Sequence, residues 1–149
     1  MKVIIQVVKE ARVKVQKEEI SRIGKGYLLY VGIEEGDQEE VVKKMAERIV
    51  NIRINKDERG KINKGIKEEG GEMLSVPQFT LCAETKKRRP SFTRCAKEEE
   101  ARRLYEAFNE EIRGLGIEVK EGKFKAEMEV ESINRGPFTI IMTENAKKG

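Results

Sequence analysis

The fold class the sequence predicts is a single α/β domain: a strand-rich, curved or barrel-like sheet of mixed or antiparallel strands under two covering helices. Three observations carry it. Short apolar runs alternate with period two, two longer segments carry an apolar stripe at helical spacing, and no repeat, linker or low-complexity block divides residues 1–149. A chain of this length suits one domain, able to withdraw about 70% of its unfolded surface from water.

In MKVIIQVVKEARVKVQ the apolar positions are Val3, Ile5 and Val7, then Val13 and Val15, and the polar break at Lys9 and Glu10 suits a bent strand or a hairpin. GYLLYVGI, residues 26–33, reads as a buried strand. Asp37 followed by Glu40 has the form of a capping box, opening a helix with Val41, Val42, Met45, Ala46, Ile49 and Val50 on one face. RINKDERGKIN sets a glycine turn between short extended pieces, and Gly70 and Gly71 lead into the apolar strand LSVPQFTLC. A second helix runs from about Lys97 to Arg113, because Ala101, Leu104, Tyr105, Phe108 and Ile112 share a face and Gly114 supplies the stop. KAEMEVESIN alternates strictly, so Ala126, Met128 and Val130 face inward while Glu127, Glu129 and Glu131 face water, as in a half-exposed antiparallel strand. GPFTIIMT closes the fold and ENAKKG is a polar tail.

Charged residues make up 39% of the chain against 38% hydrophobic, yet the apolar residues come in periodic clusters, which favours a folded protein over a disordered one. The abundance of Lys and Glu suits surface ion-pair networks of the kind used at high temperature. A net charge of +4, from 31 basic and 27 acidic residues, is mild, so contact with a polyanion has to come from a local patch. Cys82 and Cys95 have neither the number nor the spacing of a disulfide framework, and with no histidine the mixed Cys/His metal sites are excluded; both are read as reduced and structural. No metal and no organic cofactor is expected. The apolar run at the N-terminus is too short and too soon charged for a signal peptide, and no segment is long enough to span a membrane, so a cytoplasmic protein is expected.

Two stretches carry chemistry. In LSVPQFTLCAETKKRRPSF, residues 74–92, Pro77 cannot donate to a sheet ladder, so the backbone there is irregular or at an edge and the amides that follow are open to other partners. If the N–H groups of Phe79 and Thr80 point into a cleft they can stabilise an oxyanion, one such donor being worth about 2.7–4 kcal/mol in the transition state. Pattern alone favours a plainer reading, with Phe79 and Leu81 in the core and Thr80 an ordinary strand residue. In INRGPFT, residues 133–139, Gly136 before Pro137 allows a rigid projecting turn, although the residues alone favour a plain loop between two strands.

The motifs PQFTL (77–81), KKRRPSF (86–92) and NRGPFT (134–139), in this order, resemble the D-aminoacyl-tRNA deacylase family, whose usual motifs are S-Q-F-T-L and N-x-G-P-x-T. The resemblance runs through the whole chain, taking in Gln6, GYLLYVGI, GKIN, the double glycine, RPSF and AEMEV. It implies a homodimeric esterase that frees D-amino acids from mischarged tRNA and often accepts glycyl-tRNA. It also implies that the Phe79 and Thr80 amides form the oxyanion hole, with Pro77 and Gln78 beside the substrate. The partner subunit's Gly-Pro turn would enter the pocket, Gly136 offering its carbonyl to the substrate α-amino group and Pro137 shaping the wall. For water activation the alternatives are a Thr80 nucleophile or assistance from the tRNA's own 2′-hydroxyl; the resemblance favours the second.

Two departures from the family pattern matter. Pro77 replaces the serine before Gln78, as in the P-Q-A-T-L motif of related animal-type deacylases that act on L-alanine wrongly attached to tRNA, and Val7 replaces the arginine that helps hold the Gly-Pro turn. They bear on the isomer of Pro137 and on the strictness of D-selectivity, and they support an alternative reading as an L-alanyl-tRNA editing enzyme. Lys86, Lys87, Arg88 and Arg89, with Arg94 nearby, form the dense basic cluster, suited to the tRNA acceptor end or else to a solvated loop paired with glutamates. A binding module for the acceptor end, without turnover, would rest on that cluster alone.

Overall fold

The computed structural model describes residues 1–145. The polar tail expected at the C-terminus lies partly outside the described residues, from 146 onward. Strands β1 (Lys2–Val15), β2 (Glu18–Ile23) and β3 (Gly26–Gly32) are followed by helix α1 (Glu39–Asn51), the short pair β4 (Asn55–Lys56) and β5 (Ile62–Lys64), and the single-turn helix α2 (Ile66–Glu69). Then come β6 (Glu72–Pro77), a 3-10 turn (Phe79–Cys82), α3 (Glu98–Gly114), β7 (Val119–Glu121) and β8 (Glu129–Thr143). The main sheet has the order β2-β1-β3-β6-β7, with β8 along the other side of β1. It is mixed, since β3 pairs β6 and β6 pairs β7 in parallel while β1 pairs all its neighbours antiparallel.

β1 is one bent strand. Its ladder with β8 passes from Val8↔Asn134 to Glu10↔Ile133, leaving Lys9 without a partner there, and that bulge changes which face the odd-numbered residues occupy. Val3, Ile5 and Val7 face the helices together with Tyr27, Leu29, Val31 and Met73, whereas Val8, Ala11 and Val13 join Ile23, Leu28, Leu74 and Val76 on the other face. The sheet curves round this second cluster, and Met128 and Val130 pack against it. Near this closure the Lys123 N–H lies 3.3 Å from the Met128 sulfur. The result is a sheet nearly closed into a barrel, with the expected alternation of Ala126, Met128 and Val130 inward against exposed Glu127, Glu129 and Glu131.

Both helices lie where the stripes placed them, and their buried residues include every apolar position named from the sequence. Some boundaries differ. Asp37 is not a helix cap: α1 begins at Glu39, with Gln38 preceding it. The Asp37 carboxylate accepts the Glu34 N–H at 2.8 Å and pairs with the Met1 ammonium at 2.7 Å. That ammonium is buried, and an unpaired buried charge costs about 3–5 kcal/mol against about 1 kcal/mol for a cap, so the ion pair claims the carboxylate. Gly114 lies inside α3, and Gly116 supplies the left-handed residue (φ +93) after it. A third helix, α2, goes beyond the two expected; one turn is too short to show a period, although it buries Ile66 completely.

LSVPQFTLC is not one strand. β6 stops at Pro77, and Phe79–Cys82 winds into a 3-10 turn that sits on the end of β3. Gly32 makes this approach possible, because a Cβ there would meet the Leu81 Cβ at 2.9 Å and the Gln78 carbonyl oxygen at 3.2 Å. The expected strand KAEMEVESIN starts later than read, since Lys125–Met128 precede the ladder and Lys125 has φ +66; its remainder, from Glu129, and the closing GPFTIIMT are parts of one element, β8, interrupted by a bulge: the register jumps from Gln6↔Thr139 to Val8↔Asn134, so Arg135–Phe138 stand opposite Val7 alone.

Two substitutions test this packing. Phe108→Ala empties a fully buried ring site and is expected to lower unfolding free energy by about 3–5 kcal/mol, measured by urea denaturation. Gly32→Ala forces the 3-10 turn off β3 and is expected to cost about 1–3 kcal/mol in the same measurement.

Candidate active site

The site is assembled where β6 runs out of partners. Pro77 occupies the last ladder position opposite Val31, and the next amide, Gln78 N–H, donates to the Val31 carbonyl at 2.8 Å. Successive strand amides point to opposite sides, so the N–H that proline lacks would have faced β7, whose pairing with β6 has already ended at Ser75↔Glu121. The chain then enters the 3-10 turn, whose opening amides have no partner within it. Leu81 N–H donates to the Gln78 carbonyl at 3.2 Å and Ala83 N–H to the Thr80 carbonyl at 3.1 Å. Phe79 N–H and Thr80 N–H have no hydrogen-bond acceptor among the described residues, and no side chain caps the turn. They are two adjacent main-chain donors free to hold negative charge.

Phe79 is not in the core, as the plainer reading had it, and Leu81 is only half-buried. Phe79 is 59% exposed and meets the ring of Phe92 edge-on, with centroids 5.3 Å apart. The Thr80 hydroxyl is hydrogen-bonded by the Gln78 side-chain amide. No carboxylate, amine or imidazole is bonded to that hydroxyl among the described residues. An amide cannot take its proton, so the geometry gives Thr80 no general base.

Pro77, Gln78 and Phe79 form one wall of an open cavity of about 530 Å³. Cys95, Ala96, Glu98 and Ala101, around the start of α3, form another, and Phe124, Lys125, Ala126 and Met128 close the third side. Phe124 is held from behind by the ring of Tyr105, 6.1 Å away between centroids, and by the Arg102 guanidinium 4.9 Å above its face. Burial pushes the Tyr105 phenol up to about 12, keeping it a donor, and it bonds the Ser75 carbonyl at 2.7 Å, tying α3 to the strand that ends at Pro77. Phe124 and the Cys95–Ala101 wall are not among the site residues expected from sequence; Phe124 lies in a segment without periodicity, and Ala101 is visible there only as a core position.

Gly136 and Pro137 are elsewhere. Their peptide bond is cis, Gly136 has φ +114, and Gly136 lines a smaller cavity of about 160 Å³ with Val7, Asn55, Lys56, Arg135 and Phe138. Within one chain, therefore, Gly136 and Pro137 do not line the cavity beside the free amides. Lys86, Lys87, Arg88 and Arg89 form the exposed tip of a loop pinned by the Glu84↔Ser91 bridge, just beyond the turn. None of the four is in an ion pair among the described residues, whereas Arg94 pairs with Glu84 at 3.5 Å. Both cysteines are free thiols, and no helix is long and apolar enough to cross a membrane.

Comparison with known proteins places the whole chain. A D-aminoacyl-tRNA deacylase of Lactobacillus delbrueckii subsp. bulgaricus is 48% identical over 143 residues, covering 95% of this chain and 99% of that relative. One from an Exiguobacterium species is 44% identical over 147 residues, covering 98% and 100%. Among solved structures, the c-Myc DNA Unwinding Element Binding Protein superposes with a TM-score of 0.93 at 36% identity, covering 98% of this chain and all of that one. A probable eukaryotic D-amino acid tRNA deacylase superposes with a TM-score of 0.80 at 18% identity over 95% of this chain and 97% of its own, a likeness of fold. The family model for D-Tyr-tRNA(Tyr) deacylase matches residues 4–143, nearly all of the chain and both of the motif stretches above, and the chain belongs to that family.

Proposed function

We propose that this protein hydrolyses the ester bond of D-aminoacyl-tRNA, releasing free amino acid and tRNA, as a homodimer whose two active sites each draw on both subunits. The observation that carries the reading is the pair of unpartnered amides, Phe79 and Thr80, at the start of a turn whose Phe79 lines an apolar cavity. Attack on the ester carbonyl puts negative charge on its oxygen, and two fixed donors stabilise that charge more than they do the ground-state carbonyl; one donor of this kind contributes about 2.7–4 kcal/mol. The cavity, with the Phe124 ring on one side and Pro77 and Gln78 on the other, suits the terminal adenosine of the substrate.

Nothing bonded to Thr80 can deprotonate it, which supports the mechanism in which the substrate's own 2′-hydroxyl assists water while the protein supplies position and the oxyanion hole. Handedness comes from the Gly136-Pro137 corner. In its own chain it stands apart from the cavity, as a corner donated to a second copy must. There the Gly136 carbonyl accepts the substrate α-amino group and Pro137 forms the wall, so an L side chain runs into protein while a D side chain points outward. Selection works by rejection, and glycine, with nothing to reject, passes. The unpaired cluster Lys86–Arg89 lies beside the turn and meets the acceptor-stem phosphates.

Deacylation of matched D- and L-tyrosyl, glycyl and L-alanyl esters on tRNA tests the reading. Release from D-tyrosyl and glycyl tRNA with the L-tyrosyl ester spared is expected; cleavage of L-alanyl tRNA alone transfers the protein to L-alanine editing, and no release from any ester defeats the enzymatic reading. Replacing Lys86, Lys87, Arg88 and Arg89 by serine is expected to weaken tRNA binding and flatten the log–log salt dependence by about 0.7–0.9 for each phosphate no longer neutralised, measured by filter binding across a salt series.

A further inference from the structure

We infer that Cys95 is a positioning residue for the oxyanion hole: its thiol donates to the Phe79 carbonyl and so aims the Thr80 N–H, which belongs to the same peptide unit. The inference rests on the proposed role of that amide and adds the group that holds it. Cys95 Sγ lies 3.4 Å from the Phe79 carbonyl oxygen. A peptide unit is planar and rigid, so fixing its oxygen fixes the direction of the N–H on its other side. A bond accepted by the carbonyl also polarises that N–H, strengthening it as a donor.

The thiol comes from a frame independent of the turn. Cys95 bridges Glu34 just past the end of β3, Ala96 N–H donates to the Ile33 carbonyl at 3.1 Å, and Glu35 N–H donates to the Arg94 carbonyl at 2.8 Å. Cys82, at the end of the turn and only 2% exposed, donates its thiol to the same Ile33 carbonyl at 3.4 Å. Front and back of the turn are thus tied by sulfur to one short segment, residues 33–35. The turn needs this support, because its leading side chain, Phe79, points largely into solvent and Thr80 is exposed. Burial pushes the Cys82 thiol up to about 12 and raises that of Cys95 as well, so both stay protonated donors at neutral pH.

The test compares wild type with Cys95→Ala, Cys95→Val and Cys95→Ser in steady-state deacylation of D-tyrosyl-tRNA. An S–H donor is weak, so loss of it in Cys95→Ala or the shape-keeping Cys95→Val is expected to lower kcat about three- to tenfold with KM within about twofold of wild type. Cys95→Ser, which restores an O–H donor, is expected to recover most of kcat even if its thermal midpoint falls with the others. Equal losses in serine and alanine variants, a loss carried by KM, or an unchanged kcat in folded Cys95→Ala overturns the inference. A second readout does not depend on activity: the Thr80 amide proton resonance is expected to shift in Cys95→Ala and return toward its wild-type position in Cys95→Ser. If the wild type cleaves no ester, the functional reading fails alone and this resonance decides the positioning; a resonance unmoved by Cys95→Ala overturns it.

Discussion

The site depends on a failure of hydrogen bonding that the fold enforces locally. Buried main-chain amides in a sheet are almost always paired, and leaving one bare costs about 1–3 kcal/mol. Here β6 is cut off at Pro77, a residue with no N–H to lose, on the side where β7 has already ended. In the turn that follows, the Leu81 and Ala83 amides bond the Gln78 and Thr80 carbonyls, and the two leading amides have no acceptor among the described residues. Because Phe79 and Thr80 are exposed, water can solvate those donors, which keeps the cost of leaving them unpaired tolerable; in the function proposed here they serve a charge that appears only during reaction.

The surrounding architecture keeps that arrangement in place. Gly32 lets the turn lie directly on β3, the Tyr105 phenol clamps Ser75 two residues before Pro77, and residues 33–35 hold the segment that carries Cys95. None of these groups is on the 3-10 turn itself, so the precision of a short exposed segment is borrowed from a strand and a long helix whose own apolar faces are fully buried. The apolar character of the cavity follows from the same economy, since its walls are the trimmed ends of β6 and α3 and the segment leading into β8.

Much of this was legible in the residues. The helical stripes of α1 and α3 name their buried faces almost without error, and the polar break at Lys9 and Glu10 marks a real bend. Pro77 and the Gly136-Pro137 pair, read as irregular backbone, fall where the ladders are interrupted. What the residues hid was long-range. Leucine and phenylalanine at alternate positions look the same in a strand as in a 3-10 turn, and only packing against β3 decides that Phe79 turns outward. Asp37 satisfies the local rule for a cap, yet an ammonium from the other end of the segment takes its carboxylate. The approach of Cys95 to the turn depends on residues 94–96 pairing with residues 33–35, the segment to which Cys82 also bonds through the Ile33 carbonyl, a proximity that sequence spacing does not encode.

The bulge at Lys9 gives β1 a further consequence. Its first half packs under the helices and its second half fills the hollow of the curved sheet, so a single uninterrupted backbone belongs to both apolar clusters. Neither cluster can come apart without pulling on the strand that organises the other. Heat or denaturant should therefore dismantle the molecule in one cooperative step rather than layer by layer, and the shape of the cavity beside the 3-10 turn should vanish together with the fold instead of fading before it.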